Sequence, residues 1–184
     1  EGDLLQVGSE YELDVPVGTT IPDSFIPKYK KHHEIRLVMG LCSYRLTTES
    51  KSDFLSTDWT VTPEANRVGY RFKGCSLDFV PREQPFGAGS NLSNVVDLGY
   101  PIGSIQVNGI EPIALLNDAV TGGGYATIGT IISADLSKMA QVKTNDSVRF
   151  ISVTVDEAIQ IRREQKEKLQ LTKEIINKNL KERI

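Results

Sequence analysis

The chain is poor in the residues that build metal centres and disulfide frameworks: its 184 residues include two cysteines and two histidines. Cys42 and Cys75 lie far apart, form no CxxC pair and have no histidine at ligand spacing. That pattern argues against a zinc site, so no metal is expected and the thiols read as buried and free. No apolar run approaches the roughly 20 residues that span a bilayer, and no charged-then-apolar leader opens the sequence. No membrane partner is therefore expected, and a reducing, cytoplasmic setting is. Charge of one sign is also missing, since Lys+Arg 21 against Asp+Glu 24 gives a net charge of -3. Such a balance supplies no electrostatic reason for a nucleic-acid partner and leaves a small molecule or a protein. The opening Glu1-Gly2-Asp3-Leu4-Leu5 carries no initiator methionine and reads as a cut inside a longer polypeptide.

What is present is a succession of short β-rich runs punctuated by Gly, Pro and Asn. They are Tyr11 to Val15, Glu34 to Val38, Trp59 to Thr62, Val68 to Phe72, Ser104 to Val107, Pro112 to Leu116, Ala126 to Ile132 and Ser147 to Val153. Several alternate apolar and polar residues with period two, the mark of a strand with one buried face. Many short strands with frequent turn signals predict a mainly β fold, a closed or nearly closed barrel, over residues 1–153. Two short helices are expected, around Thr48 to Leu55 and Leu136 to Ala140, the second capped by an oxygen of Ser133 or Asp135. His32 and His33 follow a basic segment, Lys28 to Lys31, and read as exposed residues of a linker.

Residues 154–184 differ in composition. From Asp156 onward there is no Gly or Pro, Thr154 or Asp156 can cap, and Leu169, Ile176, Leu180 and Ile184 share one face at helical spacing. A long amphipathic helical tail follows, packing on the barrel or pairing with another subunit.

The chemistry-bearing residues crowd between Val95 and Thr130. Gly122-Gly123-Gly124 stands between two apolar runs and either turns a barrel corner or presents backbone amides to an anionic oxygen through φ > 0 and close approach. It lacks the Gly-Lys-Ser/Thr ending of a P-loop. Asn117, Asp118, Thr121 and Tyr125 flank it with hydrogen-bonding groups. Asp118 follows a strand directly, so it faces a cleft or closes a local Asx turn. Asp97 precedes Gly99-Tyr100-Pro101, and the next strand carries Gln106; Asp97 and Asp118 flank that strand and its hairpin partner, as a base and a hydrogen-bond acceptor would. Arg67 lies before a strand and can hold a carboxylate in bidentate fashion, whereas Arg71 and Lys73 read as surface ion-pairing groups.

Five segments in series carry a resemblance. They are Asn66-Arg67-Val68-Gly69-Tyr70-Arg71-Phe72-Lys73-Gly74, Pro101-Ile102-Gly103-Ser104-Ile105-Gln106-Val107, Pro112 through Asp118, Thr121 through Tyr125, and Ile132-Ser133-Ala134-Asp135-Leu136. In order and spacing, from about Glu34 to Phe150, they resemble the C-terminal half of the KipA family of biotin-dependent carboxyltransferase-like proteins. That family is also described as allophanate hydrolase subunit 2-like and includes the C-type subunit of 5-oxoprolinase. The resemblance implies a cyclophilin-like β-barrel, an N-terminal half outside this chain and a KipI-like partner subunit of the 5-oxoprolinase B type. It also implies ATP or carboxybiotin as cofactor of the full complex and a small amide as substrate.

The activity expected first is the ATP-dependent opening of pyroglutamate to glutamate. Transfer of a carboxyl group from carboxybiotin to urea is the alternative, and a non-catalytic module that binds a KipI-like protein is a third. In the enzymatic readings Asp118 and Asp97 orient or deprotonate the amide, Arg67 holds the carboxylate, and Gln106, Thr121, Gly122, Gly123, Gly124 and Tyr125 line the pocket. Ala119-Val120 after the aspartate, and Asp97-Leu98-Gly99 before the Pro-x-Gly strand, depart from the pattern of the 5-oxoprolinase members, and the Asp97 and Tyr100 arrangement resembles urea carboxylase more closely.

Overall fold

Runs rich in Val, Ile, Thr and aromatic residues become strands where one face of each can be buried. The computed structural model describes residues 4, 20–28, 30–109 and 111–181; the strand-like run 11–15, the side chain of Leu180 and all of Ile184 lie outside them. Residues 28–165 form one compact unit, and residues 1–27 with 166–184 form another.

Seven strands of the first unit close a barrel: β1 (His32–Met39), β2 (Trp59–Val61), β3 (Gly69–Lys73), β5 (Ser104–Asn108), β6 (Glu111–Leu115), β8 (Thr127–Ile131) and β9 (Ser147–Ser152). Their order is β1-β8-β5-β6-β3-β2-β9, and the barrel closes where β9 runs parallel to β1, from His32 opposite Ser147 to Leu37 opposite Ser152. Two further strands, β4 (Asn94–Gly99) and β7 (Gly122–Tyr125), pair among the described residues only with each other, as an antiparallel ribbon.

Ile35 and Leu37 of β1, Val61, Phe72, Ile105, Val107, Ile128 and Phe150 are fully buried in one continuous core. At one end, helix α1 (Thr48–Ser56) brings Phe54 onto Phe150, stacked at 5.0 Å, and beside Trp59 at 5.9 Å. The Trp59 indole N–H donates to the Phe54 carbonyl at 2.9 Å, which satisfies the one polar atom this cluster buries. Thr47 caps α1 by accepting from the Ser50 N–H at 3.1 Å.

The two predicted short helices form as α1 and α2 (Leu136–Met139). The tail forms as α3 (Val155–Lys181), opened by a capping box in which the Glu157 N–H donates to Thr154 Oγ1 and the Thr154 N–H donates to the Glu157 carboxylate at 2.7 Å. Leu169 and Leu171 on α3 are exposed. In the second unit, Lys168 places its ammonium 5.6 Å from the Phe25 ring and donates to the Ser24 carbonyl at 3.4 Å.

Three expectations need correction. His32 and His33 are not in a linker but open β1. His33 is largely buried with Asp146 at 3.5 Å, because pairing with β9 extends back to Ser147. β4 and β7, absent from the runs read as strands, are strands. Asp135 stands before α2 but makes no capping bond. Its fully buried carboxylate instead accepts from Arg36 three times, at backbone N (2.9 Å), Nε (2.8 Å) and Nη2 (2.6 Å), while Lys138 lies 3.1 Å away. A charged, long-range partner outcompetes local amides for that oxygen pair.

Burial alone would raise the Asp135 carboxyl, but the bonds from Arg36 and Lys138 more than offset it and hold the group below the usual carboxylate range. A depressed folded-state value means stability that is present above the ordinary aspartate range near pH ~4 and lost as pH falls through the lower folded value. Asp135→Ala, which also strands Arg36, is expected to cost about 3 kcal/mol in urea titrations at neutral pH. The gap between the two proteins should narrow as pH falls below about 4, where the unfolded parent takes up a proton that the folded carboxylate still refuses, and close once pH passes the lower folded value.

Candidate functional site

The pairing of β3 with β6 does not stop at the strand ends. Leu116 N–H donates to the Val68 carbonyl at 2.9 Å, in the strand register, and Asp118 N–H to the Arg67 carbonyl at 3.1 Å, one residue out of it, so the two segments stay side by side into the turn. Asn66 holds its side of the turn, its Oδ1 accepting from the N–H groups of Val68 and Gly69 at 2.8 and 3.3 Å. Arg67 and Asp118, 51 residues apart in sequence, therefore face each other. Arg67 Nε donates to Asp118 Oδ2 at 2.7 Å and Nη2 to Oδ1 at 3.1 Å, a bidentate fork. The Asx-turn role belongs to Asn66, and the Asp118 carboxylate is turned to the arginine instead. The Asp118 hydrogen bonds and charge push the Arg67 guanidinium still higher than its ordinary value. Both side chains are open to solvent, 83% and 45% exposed. Of the other basic residues here, Arg71 pairs with Glu64 at 2.9 Å on the surface.

The glycine run does not behave as a phosphate loop. Gly122, Gly123 and Gly124 are extended and none has a positive φ. Gly122 lies opposite Gly99 and Gly123 opposite Leu98 in the ribbon. Glycine is needed here for close approach: a Cβ on Gly123 would stand 3.2 Å from the Tyr100 ring, and one on Gly122 would stand 3.2 Å from the Leu98 carbonyl. An extended, paired strand offers no concave nest of amides, so these glycines do not fit a nucleotide phosphate. Because β7 has one strand neighbour among the described residues, however, the N–H and C=O groups on its other edge have no ladder partner.

Asp97 is an exposed residue of β4 beside the first glycine, its Oδ1 3.8 Å from where a Gly122 Cβ would stand. No hydrogen bond or ion pair joins it to Asp118 among the described residues. Thr121 and Gly122 are exposed, and Gly123, Gly124 and Tyr125 are half-buried. Gln106 is set back: it is buried in β5, opposite Ile113 and Thr127 in the barrel wall. The structure thus gathers Asp97 with the glycine strand on one ribbon and Arg67 with Asp118 on one turn, with Gln106 in the wall.

A residue given no role from sequence lies between these groups. Tyr100, which is 7% exposed, packs with Ile113 and Leu115 of β6, and Leu98 and Ala119 pack against the same cluster. Its hydroxyl accepts from the Tyr125 N–H at 2.7 Å and donates to the Tyr125 carbonyl at 2.9 Å. The signal available in sequence was a lone tyrosine between Gly99 and Pro101, facing a run that has no side chains of its own. Among the described residues no cluster of His, Cys, Asp or Glu could hold a metal, and no helix is long and apolar enough to cross a membrane. A small cavity of about 250 Å³ is lined by Val38, Met39, Gly40, Leu41, Thr127, Gly129 and Thr130. None of the residues singled out from sequence is part of it.

The family model described as carboxyltransferase domain, subdomain A and B, matches residues 1–152. The C-type subunit of 5-oxoprolinase from Haemophilus influenzae is 35% identical over 164 residues, a match that covers 88% of this chain and 47% of that protein. A putative urea carboxylase from Emericella nidulans is 30% identical over 165 residues, which is 89% of this chain and 13% of that protein. Among solved structures, the urea amidolyase of K. lactis superposes with a TM-score of 0.76 at 25% identity, over 83% of this chain and 9% of that one. The chain therefore spans about half the length of the 5-oxoprolinase relative and a small part of the larger enzymes.

The geometry separates two kinds of substitution. Gly123→Ala drives a methyl into the Tyr100 ring and is expected to cost about 1 kcal/mol of stability in urea titrations, whereas Gly124→Ala, whose Cβ would find its nearest neighbour at 3.4 Å, should be near neutral. Arg67→Ala and Asp118→Ala break a solvent-screened pair and should leave the thermal midpoint unchanged within error.

Proposed function

Because the chain belongs to the carboxyltransferase domain family, subdomains A and B, we propose that it supplies one wall of a composite site for a small amide in an ATP-dependent assembly of 5-oxoprolinase type. The observation that carries the proposal is the exposed Arg67–Asp118 fork beside the ribbon. A bidentate guanidinium and a carboxylate on one open turn match a substrate that bears both a carboxylate and an amide N–H. 5-Oxoproline has both. Its carboxylate would take the Arg67 fork, and Asp118, released from Arg67, would accept the hydrogen bond of the ring N–H. Opening the lactam adds water across the C–N bond, so one oxygen goes to the carbonyl carbon and the ring nitrogen gains a proton. On this reading Asp97 would meet the attacking water and the free edge of β7 the developing carbonyl oxygen.

Such a wall is half of a site. With Arg67 83% exposed, water competes for every bond at the turn, and electrostatic stabilisation is strong only where water is excluded. A second surface has to close over the turn and ribbon; the N-terminal half of the subunit and a KipI-like subunit are the candidates. The ATP-dependent chemistry belongs to that remainder, since the glycine strand does not fit a phosphate.

Transfer of a carboxyl group to urea is the second reading. It is favoured by the relative named a putative urea carboxylase and by the superposition on the urea amidolyase. Urea carries amide N–H groups but no carboxylate, so on this reading Arg67 would meet the carboxyl group in transit.

The deciding experiment measures ATP hydrolysis and product release by the full-length subunit with its KipI-like neighbour and any companion subunit, with 5-oxoproline, urea or no addition. Glutamate release from 5-oxoproline, lowered at least ~100-fold in kcat by Asp118→Asn, is the expected result. Stimulation by urea alone would establish the second reading, and stimulation by neither would overturn both.

A further inference from the structure

The glycine strand cannot hold itself in place. Three consecutive residues without side chains lose more conformational freedom on ordering than any others and have nothing to pack with. Its one strand partner among the described residues, β4, meets it with a register irregularity between Asn94 and Leu98. The Ala126 N–H, donating to the Ser93 carbonyl at 2.8 Å, ties down the residue after the strand, and the run between needs a further grip.

Tyr100 supplies it, its backbone extending the ladder before the run and its hydroxyl binding after it. Its backbone N–H donates to the Thr121 carbonyl at 2.8 Å, immediately before the run. Its hydroxyl takes both backbone polar groups of Tyr125, immediately after it. Between the two, the ring lies against Gly123. The same ring is anchored on Ile113 and Leu115 of β6, with Ala119 packed on that cluster. Leu115 lies three residues before Asp118 and Ala119 directly after it. One side chain therefore touches the glycine strand on one side and brackets the Asp118 turn on the other.

We propose that Tyr100 is the positioning residue of the candidate site, fixing the glycine strand and the Asp118 turn at one separation so that both can engage the same substrate. The assignment rests on the amide-site function proposed above. Tyr100 makes no contact with substrate in this role and is not a catalytic residue. Burial, with the nearby Asp97 charge, raises the phenol above its ordinary range, so the hydroxyl keeps the proton it donates to Tyr125 at working pH.

Tyr100→Phe keeps the ring and its packing and removes the hydroxyl alone. Two readouts are taken on it. Amide hydrogen exchange in the full chain should accelerate about tenfold or more at Tyr125, the loss of a single hydrogen bond, with smaller increases at Gly122 to Gly124 and unchanged exchange in β1 and β9. In the assembled complex, kcat should fall about tenfold or more while KM stays within about threefold, the signature of geometry lost in the transition state and not in ground-state binding. A second variant guards against a general loss of structure: Tyr70→Phe, on β3 and half-buried, should leave both readouts unchanged.

Unchanged exchange at Tyr125 overturns the proposal, because the hydroxyl then does not hold the strand. Accelerated exchange with unchanged kcat also overturns it, because the strand is then held without consequence for the site. If the parent complex turns over neither 5-oxoproline nor urea, the proposed function falls, and the positioning claim is decided by exchange at the Asp118 turn. Acceleration at Asp118 and Ala119 in Tyr100→Phe supports the coupling, and its absence overturns it.

Discussion

Closure of the barrel depends on β1. It is the strand that pairs antiparallel with β8 on one side and parallel with β9 on the other, and parallel pairs are the less stable kind, seldom left without cover. The fully buried carboxylate of Asp135 supports this junction. It binds the backbone and the guanidinium of Arg36 in the middle of β1 from a turn just beyond β8. Ile132 N–H, donating to the Arg36 carbonyl at 3.1 Å, completes the link. Everything that positions the candidate site follows from a closed wall: with β5 and β6 fixed side by side, β6 can project the Asp118 turn and offer an outer face to the ribbon.

The ribbon is a second, weaker layer built on that wall. It has two strands, a register irregularity and a side-chain-free member, and isolated two-stranded ribbons are marginal on their own. Tyr100 and the small cluster around it supply what the strands lack. A rigid barrel that carries a lightly held ribbon and an exposed ion pair suits a surface completed by another domain. On the proposed reading the pair exchanges partners when a substrate carboxylate arrives, and as an exposed pair it contributes little to the fold.

Much of the barrel was legible in sequence because its strands obey a local rule. Glu34 to Val38, Trp59 to Thr62 and Ser147 to Ile151 alternate buried residues with more accessible ones, and alternation survives whatever the strand pairs with. Thr154 as the cap of α3 was legible for the same reason, since its partner Glu157 is three residues away. β4 and β7 were not. Val95-Val96-Asp97-Leu98 has no clean alternation, and Gly122 to Gly124 has no side chains to carry a pattern. What makes them strands is Tyr100 and their mutual pairing, which are properties of the folded chain. Asp135 misled for a related reason: an aspartate before a helix signals a cap, but the decisive partner, Arg36, is 99 residues away. Of the candidate site, residue types were readable and pairings were not. Arg67 and Asp118 were both chosen from sequence, as separate binders, and the structure joins them to each other.

The most direct measurement is a structure of the assembled complex with 5-oxoproline bound under conditions that prevent turnover. The ligand carboxylate is expected on the Arg67 fork and the ring N–H within hydrogen-bonding distance of Asp118, with the Arg67–Asp118 pair opened to admit it. A ligand bound elsewhere, for instance in the cavity between Val38 and Thr130, with that pair intact, would contradict the assignment of the site.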